Sequence, residues 1–257
     1  MRRRSSAAVA ARNEAILARL RELKSEHPFW GYRHCWAHLR YVDQLSVNKK
    51  RVYRLLQAHT LLATQTKHEV ARVSTRPKPR PDRPKQWWGI DMSKVMTGSG
   101  WAYLVLVLDW YTKQIVGYHC GSRATAADWL AALDRGVNRH FPGGVRDRGL
   151  QLMSDNGSQP TAETFMKACS FLGVHQAFTS YNNPKGNADT ERLMRTIKEE
   201  LIWLREWRNP HELSTTVGEW IEQYNESYLH AALGYRTPNQ MEETYNQTMG
   251  TLLDIAC

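Results

Sequence analysis

Three carboxylates in this 257-residue chain stand where they could do phosphodiester chemistry. Asp91 lies in WWGIDMS, Asp155 in QLMSDNGSQ and Glu191 in NADTERLMRTIKEEL; Asp155 follows Asp91 by 64 positions, and thirty-five residues separate it from Glu191. Two strand-borne aspartates and a helix-borne glutamate make a cage of hard oxygens, the donor set that Mg²⁺ prefers. Two such ions side by side can clamp the attacking and leaving oxygens of an in-line displacement at phosphorus. Three carboxylates that close repel one another unless a cation neutralises them. The empty site is therefore expected to be distorted or partly protonated.

Helix geometry singles out Glu191 among its acidic neighbours. At about 100° per residue, Leu193, Ile197, Leu201 and Leu204 fall on one stripe and read as the packed face, while Glu191, Arg195 and Lys198 share another at i, i+4 and i+7. Asp189 and Glu200 fall elsewhere on the wheel. One face thus offers a carboxylate for metal beside two cations for phosphate. The alternative is a solvated charged face, with both cations pairing to Glu191, Glu199 or Glu200. Residues 180–187, SYNNPKGN, lead into this helix as a polar loop, in which Lys185 and backbone amides could touch DNA; plain turn chemistry explains the loop nearly as well. Trp203 and Trp207 read as packing residues rather than base-stacking platforms. The rival carboxylate is Asp109, at the end of an apolar run, where an aspartate suits a turn by accepting from nearby backbone amides.

The spacing, the SDNGSQ segment, the ERLMRTIKEEL helix and the later string YNESYLHAALGYRTP together resemble the DDE transposase and retroviral integrase superfamily, and within it the second-frame product of insertion-sequence-three family transposases. The resemblance runs from about Phe29 to about Met241. It implies an α/β fold: a ribonuclease-H-like mixed five-stranded sheet with flanking helices, preceded by a small all-helical, helix-turn-helix-like module. It implies metal-dependent DNA cleavage and strand transfer during transposition, with Asp91, Asp155 and Glu191 holding two Mg²⁺ or Mn²⁺ ions, and it places a basic residue seven positions after the glutamate, here Lys198. Implied partners are the DNA of element ends and target, further copies of the chain on that DNA, and a first-frame DNA-binding protein joined by ribosomal frameshifting. The implied setting is the bacterial cytoplasm, at the nucleoid. The chain departs from retroviral integrases in lacking their His-His-Cys-Cys zinc pattern: His34 and His38 have half of the spacing, and no cysteine pair follows.

The elements that must position these residues are marked by composition and periodicity. Residues 1–85 hold 20 Lys and Arg against 6 Asp and Glu, and residues 86–257 hold 15 against 19, so the front of the chain carries the footprint of a polyanion binder. Domain boundaries follow: a helical module over 1–70, a Pro-rich basic linker over 71–85, and a catalytic core with a helical tail over 86–257. In the module, residues 5–25 read as a helix ending near His27-Pro28. Two more helical segments flank a break at residues 43–46, with Ser46 as N-cap of the second. That last segment carries Lys49, Lys50, Arg51 and Arg54, the cations expected to meet DNA; a basic hairpin that only packs is the alternative. In the core, Gln86–Ser93, Trp101–Leu108 and Lys113–His119 read as an antiparallel meander. Residues 125–139 and Glu163–Leu172 read as helices, and Leu150–Ser154 and Val174–Thr179 as the fourth and fifth strands. His211–Leu233 reads as a helix, with Gly234 as its stop and an extended tail beyond.

The four scattered cysteines form no C-x-x-C pair, so neither a disulfide framework nor a zinc ribbon is indicated. No run of eighteen apolar residues marks a membrane span, and the N-terminus has no apolar stretch of signal-peptide kind. Two rival functions remain: a ribonuclease-H-fold nuclease that cuts without joining, and an inactive DNA-binding regulator with a relic core.

Overall fold

The computed structural model describes residues 7–63, 79–179 and 186–256. The chain forms two compact units, Met1–Arg72 and Val73–Cys257. In the first, helices α1 (Ala7–Glu26), α2 (Tyr32–Tyr41) and α3 (Lys49–Ala58) enclose a core that includes Leu20, Leu23, Trp30, Leu39, Val52 and Leu56. Arg19 grips Asp43 with Nε and Nη2, at 2.9 and 3.2 Å, tying α1 to the turn after α2. His27 and His34 stack on Trp30 at 3.8 and 4.0 Å, and His38 Nδ1 stands 3.6 Å from Asp43.

Ser46 does not cap α3. The cap is Asn48, whose side chain accepts from Lys50 N at 2.8 Å. Val47 explains the shift: its side chain is buried and its carbonyl accepts from Trp36 Nε1 at 2.8 Å, so the chain stays non-helical through residue 48.

In the second unit, β1 (Trp87–Thr97), β2 (Gly100–Asp109) and β3 (Ile115–Gly121) form the expected meander, with β1 running four residues beyond its expected end to a tight turn at Gly98-Ser99. Then come α4 (Ala126–His140), β4 (Gln151–Ser154), α5 (Glu163–Leu172), β5 (His175–Phe178), α6 (Ala188–Glu200), α7 (Pro210–Ser227) and α8 (Pro238–Ala256). The sheet order is β3-β2-β1-β4-β5, with β4 parallel to both β1 and β5. This is the mixed five-stranded, ribonuclease-H-like sheet that the sequence led us to expect.

Both faces are covered, which is why β2 reads as a nearly unbroken apolar run. Leu104, Leu106 and Leu108 enter a core shared with α6 and α7, and Val105 and Val107 enter another shared with α4 and α5. In β1 the same alternation sends Ile90 to the α4/α5 side and Val95 to the α6/α7 side. Asp91 has the parity of Val95 and so lies on the face that α6 covers.

Four local expectations are corrected. Leu204 is 42 % exposed rather than on a packed stripe, because α6 ends at Glu200 and Leu201 leaves helical geometry at φ −137°. Packing sets that end: Ile202 turns into the core and its carbonyl accepts from buried Trp207 Nε1 at 3.1 Å. Trp203, expected to pack like Trp207, is 58 % exposed for the same reason. The chain beyond Gly234 is not an extended tail. Gly234 does stop the preceding turn, at φ 67°, but Thr237 and Gln240 then exchange hydrogen bonds, Thr237 N to Gln240 Oε1 at 3.0 Å and Gln240 N to Thr237 Oγ1 at 3.3 Å. That reciprocal cap, with Pro238 opening the helix, starts α8. The helix expected over His211–Leu233 likewise stops at Ser227, with a separate 3₁₀ turn at Ala231–Leu233.

Of the expected linker, residues 71–78 lie outside the described residues. Among the described residues no helix is long and apolar enough to cross a membrane.

Candidate active site

Strand register and one close helix contact bring the three carboxylates into one electrostatic field. Asp91 sits within β1, half-buried, and accepts from Met92 N through Oδ1 at 2.7 Å. Asp155 is exposed, one residue past the end of β4, with Oδ1 accepting from Gly157 N at 3.0 Å. Because β1 and β4 pair in parallel with Gly89 opposite Met153, continuing that register sets Asp155 level with Asp91. Glu191 is exposed in the first turns of α6, which packs on β1 and β2.

The seat of α6 is built from residues that the sequence pattern does not announce. A Cβ on Gly89 would stand inside contact distance of Thr190 Oγ1 and Trp110 Nε1 and 2.8 Å from Asn187 Oδ1, so only glycine lets the helix start come this near β1. Asn187 Nδ2 donates to Ile90 O at 3.3 Å, and Trp110 Nε1 to Thr190 Oγ1 at 3.1 Å. Lys113 Nζ donates to Asp189 Oδ2 at 2.8 Å. These contacts act on residues 187, 189 and 190, immediately before Glu191. The only local signal for them was the glycine two positions before Asp91.

The electrostatics reflect the proximity. Burial pushes the Asp91 carboxyl up to about 6; the Met92 N–H draws it down, the charges of Asp155 and Glu191 push it further up, and Lys198 draws it down again. Burial also raises Glu191. Asp91 therefore feels both other carboxylates and the lysine about two turns along the same helix face from Glu191. Even so, among the described residues no group of three His, Cys, Asp or Glu side chains stands close enough to hold a metal ion as placed. The chemistry still fits a hard divalent cation: three carboxylates in one field, one of them half-buried and destabilised as an anion, supply the oxygen donors that such an ion requires.

Asp109 is set apart from this group. It is buried, and its two oxygens accept four donors: Lys85 N at 2.6 Å and Trp88 Nε1 at 3.1 Å on Oδ2, Tyr111 N at 2.8 Å and Thr112 N at 3.0 Å on Oδ1. Burial raises its pKa, and those donors oppose the rise. Its side chain is a staple for the turn between β2 and β3.

The cations divide by what already engages them. Lys198 is half-buried and its charge draws the Asp91 carboxyl down, whereas Arg195 Nε is paired with Glu199 Oε1 at 2.7 Å on the helix surface. Lys185 lies outside the described residues. In the helical unit Lys50 and Arg54 are exposed, Lys49 Nζ lies 4.1 Å over the Trp36 ring, and Arg51 Nε donates to Asn13 Oδ1 at 2.9 Å. Trp36, Arg40 and residues 46–51 line an open groove at the start of α3.

Three family models match the chain. The Integrase core domain family matches residues 81–184, a second Integrase core domain family matches 172–238, and an HTH-like domain family matches 11–69. The chain is similar to the transposase InsD for insertion element IS2A/D/F/H/I/K of Escherichia coli, with 25 % identity over 238 residues, covering 88 % of this chain and 77 % of that one. The InsD transposase of IS2 on the F plasmid of Escherichia coli strain K12 gives the same figures. Among solved structures, the catalytic core domain of BIV integrase aligns over 66 % of this chain and 99 % of that one, with 18 % identity and a TM-score of 0.47.

Proposed function

Since the chain belongs to the DDE transposase and retroviral integrase superfamily, with Integrase core domain matches spanning residues 81–238, we propose that it cleaves and joins DNA strands in the transposition of an insertion sequence, with Asp91, Asp155 and Glu191 as its metal-holding carboxylates. The observation that carries this reading is the convergence of β1, the end of β4 and the start of α6 on one field, in which Asp91 feels both other carboxylates. Bound there, two Mg²⁺ or Mn²⁺ ions would supply activation of a water or 3′-hydroxyl and charge relief at the leaving 3′-oxygen.

The chain's own residues do the rest. Asp91 is fixed by its strand and keeps Oδ2 available while Met92 N–H holds Oδ1. Asp155 and Glu191 are exposed and adjust around it. Lys198, on the Glu191 face, would meet the strand that continues past the scissile phosphate, and its flexible ammonium suits a backbone phosphate. Arg195 can exchange its surface pair with Glu199, worth about 0.2–0.5 kcal/mol, for a bidentate phosphate contact. We assign Lys185 to the same strand. Lys49, Lys50, Arg51 and Arg54 of the helical unit would bind the duplex, Lys50 and Arg54 most directly. The remaining partners are target DNA, further copies of the chain and a first-frame DNA-binding protein, in the bacterial cytoplasm at the nucleoid.

The test is a Mg²⁺-dependent joining assay on a duplex with a pre-cut 3′ end. Joined product is expected. Cutting without joining would make the chain a nuclease, and binding without metal-dependent cutting would make it a regulator. In the same assay Lys198→Ala should weaken end binding and joining at least several-fold with the melting temperature nearly unchanged. Joining at the unaltered rate would return Lys198 to a solvated face.

A further inference from the structure

The string YNESYLHAALGYRTP carries much of the resemblance, yet the chemistry above gives it no part. In the structure it meets the turn between β2 and β3. Asn225 takes both backbone groups of Ile115, accepting from its N–H at 2.9 Å and donating to its carbonyl at 3.0 Å. Tyr224 OH donates to Lys113 O at 3.2 Å. Just beyond the string, Asn239 Oδ1 accepts from Gln114 Nε2 at 2.9 Å. Three consecutive residues, Lys113 and Gln114 of the turn and Ile115 at the start of β3, are thus held by the C-terminal segment, while Asp109 O accepts from Lys113 N at 2.9 Å.

Lys113 is held in an unusual state. Its φ is +62°, in the left-handed region where glycine or asparagine is at ease and a long side chain is not. A turn selected only for its shape would have glycine there. The lysine side chain instead reaches 2.7 Å to Trp110 O and 2.8 Å to Asp189 Oδ2, both half-buried contacts. Asp189 lies in the first turn of α6, two residues before Glu191. His230, from the same C-terminal string, packs on the rings of Tyr224 and Tyr228 at 5.4 and 4.9 Å. Burial, and after it the charges of Lys113 and Arg192, hold its imidazole neutral, down to about 3. It therefore brings no further positive charge to the Lys113–Asp189 pair.

We propose that Lys113 is a positioning residue for Glu191: the C-terminal YNESYLH segment locks the turn that presents it, and its ammonium fixes the first turn of α6 through Asp189. The inference rests on Glu191 acting as described under Proposed function. It accounts for a lysine where the backbone favours glycine, and for a C-terminal string whose hydrogen bonds go to the turn before β3.

The experiment measures single-turnover Mg²⁺-dependent cleavage, DNA affinity and melting temperature on the full chain for the unaltered protein, Lys113→Gly, Lys113→Arg, Asp189→Asn, the Lys113→Gly/Asp189→Asn double variant and Glu191→Gln. Glycine relieves the left-handed backbone, which offsets part of the loss of two half-buried hydrogen bonds, so Lys113→Gly should melt within a few degrees of the unaltered chain, and yet cleave about tenfold more slowly, as expected when a catalytic group is misplaced. DNA affinity should not change. Lys113→Arg should recover most of the rate. Asp189→Asn should fall as far as Lys113→Gly, and the double variant no further, since both break one link. Cleavage by Lys113→Gly within twofold of the unaltered chain, or additive losses in the double variant, would overturn the proposal. If Lys113→Gly fails to fold, Asp189→Asn decides the question by itself, because it leaves the turn untouched: a tenfold loss of rate supports the link, and cleavage within twofold of the unaltered chain removes it. Loss of cleavage in Glu191→Gln shows that the reading of the site stands whatever the Lys113 variants do; cleavage by Glu191→Gln would end that reading and this inference with it.

Discussion

Asp91→Asn, Asp155→Asn and Glu191→Gln should each lower Mg²⁺-dependent cleavage on the order of 10³-fold, in line with removing one group that stabilises developing charge, while DNA binding stays nearly intact. Each change keeps volume and shape and removes only the anionic oxygen that would face a cation. Asp91→Asn removes a carboxylate already destabilised by burial and two like charges, so the variant should melt no lower than the unaltered chain. Added Mn²⁺ should raise the melting temperature of the unaltered chain alone, because binding to the native state is what stabilises it. Asp109→Asn should behave in the opposite way. An amide keeps one oxygen and turns an NH₂ toward two of the four donors that Asp109 now satisfies. Leaving two buried donors unpaired costs about 2–6 kcal/mol, a fall in melting temperature on the order of 10 °C for a domain of this size. Normal cleavage by Asp91→Asn, together with lost cleavage by a well-folded Asp109→Asn, would exchange the two roles.

That contrast shows where sequence reasoning had purchase. The strands were legible because β2 is buried on both faces and must be apolar throughout, and because β1 alternates between two cores. The carboxylates were legible as residue types, since a hard-cation site cannot be written in other side chains. The helical wheel described α6 as far as Ile197, which is buried, and failed at Leu204, because the end of α6 is set by Ile202 and Trp207 and not by its own periodicity. The start of α8 is written locally as a Thr-Pro-Asn-Gln cap, but the preceding glycine reads so strongly as a stop that it masks this signal. What could not be read was the seat of α6. Lys113 to Asp189 spans 76 positions, Trp110 to Thr190 spans 80 and Asn187 to Ile90 spans 97. No window along the chain contains both ends of any of these contacts. The wheel even set Asp189 aside, since it asks which residues share a face and not which one another element grips.

Gly89→Ala concentrates that hidden layer in one methyl group. Gly89 lies two residues before Asp91 on the same face of β1, directly beneath the start of α6. Its added Cβ would meet Thr190 Oγ1, Trp110 Nε1 and Asn187 Oδ1 together, and none of the three is the loose end of a flexible chain: Trp110 is buried, Thr190 is in the helix, and Asn187 is tied to Ile90 O. The helix must therefore lift from the strand. Overpacking of this kind costs about 1–3 kcal/mol, and lifting α6 by even about 1 Å moves Glu191 away from Asp91 and Asp155, a displacement that can cost about 10²-fold in rate. Melting should thus fall by several degrees and cleavage by about two orders of magnitude, with the affinity of the helical unit for duplex DNA unaffected. Adding Thr190→Ala removes the nearest obstruction, so the double variant should regain part of the melting temperature lost by Gly89→Ala. It should not regain the full rate, because the Trp110–Thr190 bond that helps hold the helix start is lost as well. Gly89→Ala with unaltered melting and cleavage would mean that the close approach of α6 to β1 is not what brings Glu191 to the two aspartates.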